Sequence, residues 1–320
     1  MKHKKQTQKP KPKINYRIDN WREYNASLVQ RGSLSVWIAI EDMNAWKPAQ
    51  KGKRGGQYQY SDAAIACALT VKSVYHLPLR ATAGFMRSWF TQARIDLPTP
   101  DYSTLCRRGA DLKIEWPKRA QGGLHLVIDS SGLKVYGEGE WKVRQHGYGQ
   151  HRTWRKFHIS VDEKTLEIQE VRVTEAGVDD ASQVDELLNA SEEVDQVSAD
   201  GSYDKRKTYQ VCQQHGVKHM IIPPRRNAHI WQHGNAHAPP HPRDVNLRRI
   251  RAIGRKQWKR ESGYHRRSLA ETSVFRFKTI LGDTLAARLL PQQRTEVRVK
   301  CAILNRMSHL GLPDSVRISA

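Results

Sequence analysis

Acidic side chains are scarce in this sequence: 32 Asp and Glu stand against 54 Lys and Arg, a formal net charge of +22 over 320 residues. That excess goes beyond what solubility needs, and its simplest use is a polyanionic partner, nucleic acid first among them. Cysteine is nearly missing, and the four present, at positions 67, 106, 212 and 301, form no CxxC or other close spacing. This argues against a disulfide scaffold or a thiolate zinc site, and suits reduced, mostly buried small hydrophobes of a cytoplasmic protein. Long apolar runs are lacking too, so neither a membrane span nor a membrane partner is expected. The opening MKHKKQTQKPKPKINYR is basic without an apolar h-region and does not read as a secretory signal. Ser130 and Ser131 have no histidine partner in a nucleophile motif, which disfavours covalent serine catalysis.

The length allows two domains, or one large domain with appendages, around a full core. The first twenty residues carry seven Lys or Arg against one Asp, and 1–17 read as a disordered basic arm able to add phosphate contacts. Residues 18–118 read as helical, with a stretch at Ser33–Ile38 that also suits an extended conformation. Ser61 and Asp62 cap a helix running to about Tyr75, a second runs from Leu79 to Phe90, and a third, short one ends in Arg107 and Arg108. These suit either a helix-turn-helix-like DNA-binding unit or an all-α packing subdomain.

From residue 119 the periodicity changes. Leu124–Ile128 is a nearly continuous apolar run that predicts a buried strand with Asp129 at its C-terminal end and a turn at Ser130-Ser131-Gly132. Strands near Lys156–Val161 and Glu167–Val173 should form an antiparallel hairpin. Next come a helix over 180–189, a strand at Val194–Ala199 reaching Asp200, a helix over 205–215 capped by Asp204, and a strand at Val217–Ile222. This order predicts a mixed α/β sheet with flanking helices. A basic connector over 223–246, a helix from about Asn246 to Arg260, the helix carrying Glu271, and one near 296–309 complete the chain before a tail at 311–320.

Charge is divided along this half. Between Asp162 and Asp200 there are thirteen acids against two bases, and between Pro223 and Lys278 fourteen bases against three acids. The molecule should be electrostatically two-sided, with the basic side toward DNA. His229, His233, His237 and His241 recur every fourth residue, yet Gly234, Pro239 and Pro240 oppose one helix through them, so a polar loop is read here rather than a zinc site. Trp141, Trp154 and Trp258 lie among basic residues, as core anchors or as platforms for an unpaired base.

Asp129, Asp200 and Glu271 are each separated by 71 residues and stand at two strand ends and on a helix. Acids at the ends of neighbouring strands can converge, and a helix packed on the same sheet can bring a third over them. Open carboxylate sites suit Mg²⁺ or Mn²⁺, and a pair of such ions suits phosphodiester displacement. A lone aspartate after a strand also serves as an ordinary turn former. From Glu271 the offsets to Tyr264, Arg267 and Lys278 are minus seven, minus four and plus seven, so one α-helix would bring all four onto a narrow face. The same residues also suit a solvated helix with an Arg267 to Glu271 pair contributing about 0.2–0.5 kcal/mol.

The spacing Tyr264, two residues, Arg267, three residues, Glu271, six residues, Lys278 resembles the last block of the DDE transposases of bacterial insertion sequences, most closely the insertion-sequence-five family. Val127–Arg144 resembles the first-aspartate block of that family and Ala199–Asp204 the second, in the same order, over about residues 55–310. The resemblance implies an RNase H-like catalytic domain at 119–310 behind a helical DNA-binding region at 18–118. It implies a site of Asp129, Asp200 and Glu271 for two Mg²⁺ or Mn²⁺ ions, with DNA-backbone contacts from Tyr264, Arg267 and Lys278. It further implies a transposase that cuts DNA at element ends, transfers the 3′-OH into target DNA, and works as a homodimer on DNA in the bacterial cytoplasm, at the nucleoid. An RNase H-like nuclease and a non-catalytic DNA-binding regulator are the alternatives.

Overall fold

The computed structural model describes residues 15–48, 57–115, 122–135, 154–189, 193–232 and 239–318. Most of the basic arm, the stretch around Gly139 and Trp141, and His233 and His237 lie outside the described residues. The described residues begin with strand β1 (Asn15–Ile18) and helices α1 (Trp21–Gln30), α2 (Leu34–Trp37) and α3 (Ile40–Asn44). The expected extended stretch at 33–38 is thus a helical turn, closed by the buried Trp37, whose indole N–H donates to the Arg31 carbonyl at 2.8 Å. Helices α4 (Asp62–Val74), α5 (Leu79–Gln92) and α6 (Tyr102–Arg108) fall where the apolar spacing and caps place them. Ser61 Oγ accepts the Ala64 N–H at 3.1 Å and Asp101 accepts the Ser103 N–H at 3.1 Å, each satisfying a donor that a helix start leaves unpaired.

The sheet is built from β2 (Leu124–Val135), β3 (Trp154–Asp162), β4 (Ile168–Glu175), β5 (Val194–Ser198) and β6 (His219–Ile221), ordered β4-β3-β2-β5-β6. The β2–β3–β4 pairs are antiparallel and the β2–β5–β6 pairs parallel, the mixed sheet that the element order predicts. Between these strands lie α7 (Val184–Leu188) and α8 (Arg206–Gln214). Next along the chain are α9 (Pro242–Ile253), α10 (Arg255–Glu261), α11 (Ser268–Leu281), β7 (Thr284–Leu285), α12 (Leu290–Leu310) and β8 (Ser315–Ile318). The single helix expected over 246–260 is broken at Gly254, whose φ of 81° lies in the left-handed region that glycine enters without steric cost.

One expectation fails at the centre of the sheet. Ser130-Ser131-Gly132 do not turn: β2 continues through them, paired with β3 from Leu126 to Lys134. Its other edge meets β5 over Leu124–Val127 and β7 at Lys134 and Val135, so both ends of the strand are held and its middle stays extended. Gly132 leaves room for the Trp154 ring, from which a Cβ there would stand 3.1 Å.

The two faces of β2 follow the alternation of an extended strand. Leu124, Leu126 and Ile128 join one buried cluster with Leu187, Tyr209 and Cys212 of α7 and α8. Leu133, with Phe157 and Ile159 of β3, joins the other, which continues through Phe277 of α11 and Val297 and Ile303 of α12 to Ile65, Phe90 and Leu105 of the N-terminal helices. The helical region and the sheet therefore share one hydrophobic cluster. Phe277 stacks on Phe157 at a centroid distance of 5.0 Å and seats α11 on the sheet. Burial of one such side chain contributes about 1.5–3 kcal/mol. Asn305 of α12 pairs with both the N–H and the carbonyl of Ile168 at 2.8 and 2.9 Å, closing part of the exposed edge at β4. Arm and tail also meet, since β1 pairs antiparallel with β8.

Candidate active site

Asp129 lies on β2 directly opposite Ile159, hence on the face that α11 covers. It is not at a strand end, as the apolar run suggests, but in mid-strand. Asp200 stands just beyond Ala199 at the end of β5, the parallel neighbour of β2, and opens a 3-10 turn at Gly201–Tyr203 by accepting the Ser202 N–H at 2.8 Å. Glu271 sits in the first turn of α11, where a carboxylate interacts favourably with the helix dipole. Three elements that the chain keeps far apart are thereby drawn to one place.

Their mutual influence is clearest at Asp129. Burial pushes its carboxyl above the usual range, and the carboxylates of Asp200 and Glu271 push the same way, against the Ser130 N–H and Arg267. The Ser130 N–H donates to Asp129 Oδ1 at 2.9 Å. Arg267 lies between two of the acids, with Nη1 at 3.9 Å from Asp129 Oδ2 and Nη2 donating to Glu271 Oε1. Lys278 reaches down from α11 to donate to Ser131 Oγ at 2.8 Å, two residues beyond Asp129 on the same face.

Tyr264 differs from its expected place. The segment Tyr264–Arg267 is a 3-10 turn entered from Gly263 at a φ of 67°, and α11 proper begins at Ser268. The narrow face drawn for one α-helix therefore holds for Glu271 and Lys278, while Tyr264 and Arg267 belong to the tighter turn before it. The Tyr264 ring is buried against Trp258 at 6.0 Å, in a cluster with Ile221. Burial pushes its phenol up, so it remains a neutral donor beside Arg267. Trp258, a candidate base platform, is core, whereas Trp154 is partly exposed.

Several residues around the site are given no role by the sequence reading. On the opposite face of β2, Ser130 lies across from His158, which is fully buried and donates to or accepts from Thr174 Oγ1 at 3.0 Å. Asp180 stands 3.4 Å from His158 Nδ1 and 3.1 Å from Lys156 Nζ. Burial pulls the His158 pKa down to about 4, so the ring is neutral. Tyr203 is buried beneath the Asp200 turn, where desolvation and the charges of Asp180, Asp129 and Asp200 push its phenol far up. The hint was an aromatic residue three positions after a strand-end aspartate, which a tight turn folds back beneath it.

A family model described as "Transposase DDE domain" matches residues 120–306, more than half of the chain, and a second of the same description matches 29–138. The chain belongs to the DDE transposases. The mixed sheet with flanking helices is the RNase H-like fold of such a transposase. Its family uses divalent metal ions in general. Among the described residues no three His, Cys, Asp or Glu side chains are gathered closely enough to ligate an ion as they stand. The donor chemistry fits such an ion all the same: the acids around Asp129 offer carboxylate oxygens, the donors Mg²⁺ and Mn²⁺ prefer, and their mutual repulsion is what a cation relieves. No helix among the described residues is long and apolar enough to cross a membrane.

The transposase is basic where the sequence suggests. Arg248, Arg249 and Arg251 on α9, Lys256 and Arg260 on α10, and Arg266 beside the site are all exposed. Of the arginine pair closing α6, Arg107 is exposed, but Arg108 turns inward, donating to the Tyr60 carbonyl at 2.9 Å with its guanidinium 4.0 Å above the Tyr58 ring. Only the first is free to face a polyanion.

Proposed function

We propose that this transposase cuts DNA at the ends of its element to leave a 3′-OH and transfers that hydroxyl into target DNA, as a member of the insertion-sequence-five family. The reading rests above all on the approach of the three carboxylates around Arg267, whose guanidinium reaches both Asp129 and Glu271, with Asp200 close enough to act on Asp129. Asp129, Asp200 and Glu271 would hold two Mg²⁺ or Mn²⁺ ions. When bound, such ions activate the attacking oxygen and steady the leaving oxygen of an in-line phosphodiester displacement.

The surrounding side chains bind and orient the substrate. Arg267 balances the carboxylates and turns toward a DNA phosphate as a charge-assisted donor. Lys278 spends one donor on Ser131 and has two more for the backbone. The Tyr264 hydroxyl supplies a neutral donor, its ring being locked in the core. Exposed bases on α9 and α10 track the duplex, residues 18–118 recognise the element ends, and 119–310 carry the chemistry. Joining two ends calls for a homodimer on DNA, in the cytoplasm at the nucleoid.

The test is strand nicking of an end-labelled duplex bearing the gene's own flanks, in Mg²⁺ or Mn²⁺, for the wild type and Glu271→Gln. Nicks leaving 3′-OH at discrete flank positions, lost in the variant, are expected. Cutting that ignores the flanks indicates a nuclease, and binding of the flanks without cutting in either metal indicates a regulator.

A further inference from the structure

A second acid–base assembly lies four residues past Asp200, and the chemistry above makes no use of it. Asp204, expected as a helix cap, caps nothing: Lys205 holds the N-cap position of α8 and makes no side-chain cap bond. The Asp204 carboxylate is buried and faces Arg243 at the start of α9, 39 residues further on. Arg243 Nε donates to Oδ1 at 2.7 Å and Nη2 to Oδ2 at 3.3 Å, a two-point grip. The Arg225 N–H and the Tyr209 hydroxyl add donors at 3.3 Å each. The third guanidinium nitrogen donates to the His229 carbonyl at 2.8 Å, and the guanidinium lies 3.9 Å above the Trp231 ring. The next residue, Asp244, accepts the Trp231 and Gln232 N–H groups at 2.8–3.1 Å.

These contacts join two parts of the molecule that the sequence separates. Asp204 ends the turn in which the Tyr203 N–H donates to the Asp200 carbonyl at 3.2 Å and the Asp204 N–H to the Gly201 carbonyl at 3.4 Å. Arg243 starts the helix that presents the exposed arginines of α9. A buried charge pair tolerates little displacement, because either charge left alone is strongly destabilised. Turn and helix are therefore held at a fixed separation.

We propose that Asp204 and Arg243 are positioning residues, a buried clasp that sets the Asp200 turn and locks it to the basic helices α9 and α10. The clasp touches neither DNA nor the reacting atoms. It makes the distance between the Asp200 carboxylate and the phosphate-tracking helices a property of the folded chain. The inference builds on the function proposed above, and its test separates the two.

Arg243→Lys and Asp204→Glu keep the charges but change the geometry, since lysine gives up the two-point grip and the stacking on Trp231. Hydrogen exchange of the amides at 202–204, thermal melting, and nicking of flank DNA across a Mn²⁺ titration are measured on the full chain. Expected are exchange at these amides at least about tenfold faster with the melting transition retained, nicking about tenfold slower at saturating DNA, and a higher Mn²⁺ concentration for half-maximal rate. Tyr209→Phe, which loses only an outer donor to Asp204, should shift each readout less. Unchanged exchange at 202–204 in both charge-keeping variants overturns the clasp whether or not the wild type cuts DNA. Faster exchange with unchanged nicking and Mn²⁺ dependence overturns the coupling to Asp200. If the wild type itself never nicks, the cleavage reading fails, and the exchange data alone decide whether the clasp sets the turn.

Discussion

Arg243 and Arg267 each pair with carboxylates, and the two pairings are built for opposite purposes. Arg243 and Asp204 have side chains only 5% and 1% exposed, and the carboxylate takes four donors from fixed positions. Arg267 is shared between Asp129 and Glu271, and the latter side chain is 54% exposed. A sealed, saturated pair has nothing left to offer a ligand. A shared and half-open one can exchange partners when a phosphate or a cation arrives, which is why the chemistry belongs at Arg267 and the bracing at Arg243.

The sharpest way to break that comparison is truncation of each arginine. Arg243→Ala strands a buried carboxylate and should lower the free energy of unfolding by about 3–5 kcal/mol in a urea titration. Arg267→Ala should cost less than about 1 kcal/mol, because the Glu271 end of its pair is in solvent. Equal losses would mean that both grips are structural. Next in size, Glu271→Gln should slow nicking by about a hundredfold or more, several kcal/mol of transition-state stabilisation, while stability stays within about 0.5 kcal/mol. A smaller effect is expected from pH. His158 has a pKa lowered from 6.5 to about 4, so the unfolded chain binds the proton first as pH falls. The stability this contributes is complete above pH 6.5 and is lost as pH falls toward 4, and His158→Phe should flatten that part of the stability–pH curve. Smallest is Lys278→Ala, which should weaken binding of all duplexes alike and reduce the slope of log affinity against log salt by about 1.

Asp129 shows how far local patterns carry. The run Leu124–Ile128 is plainly a strand in the sequence, but being nearly continuously apolar it does not say which residues share a face, and the structure puts Leu124, Leu126 and Ile128 together. The adjoining Ser130-Ser131-Gly132 has turn chemistry, yet β3 pairs along its whole length and β7 secures the far end of the strand. Tertiary pairing outweighs the local preference, so Asp129 gains a rigid mid-strand position in place of a flexible corner. Asp200 does take the corner expected of it. The clasp was beyond local reading, because Asp204 and Arg243 lie 39 residues apart and each suits a commonplace role where it stands.

The sequence by itself determined the strand and helix order, the division of charge, and the spacing that marks Glu271 and its companions. Those features live in hydrophobic periodicity and residue identity, which are local and additive along the chain. Only the tertiary structure decided that Asp129 sits in mid-strand, that Tyr264 and Trp258 are core, that Arg108 turns inward, and that Arg243 is sealed against Asp204. Each of these turns on whether a side chain loses its water. Desolvation depends on what the distant parts of the chain place around it.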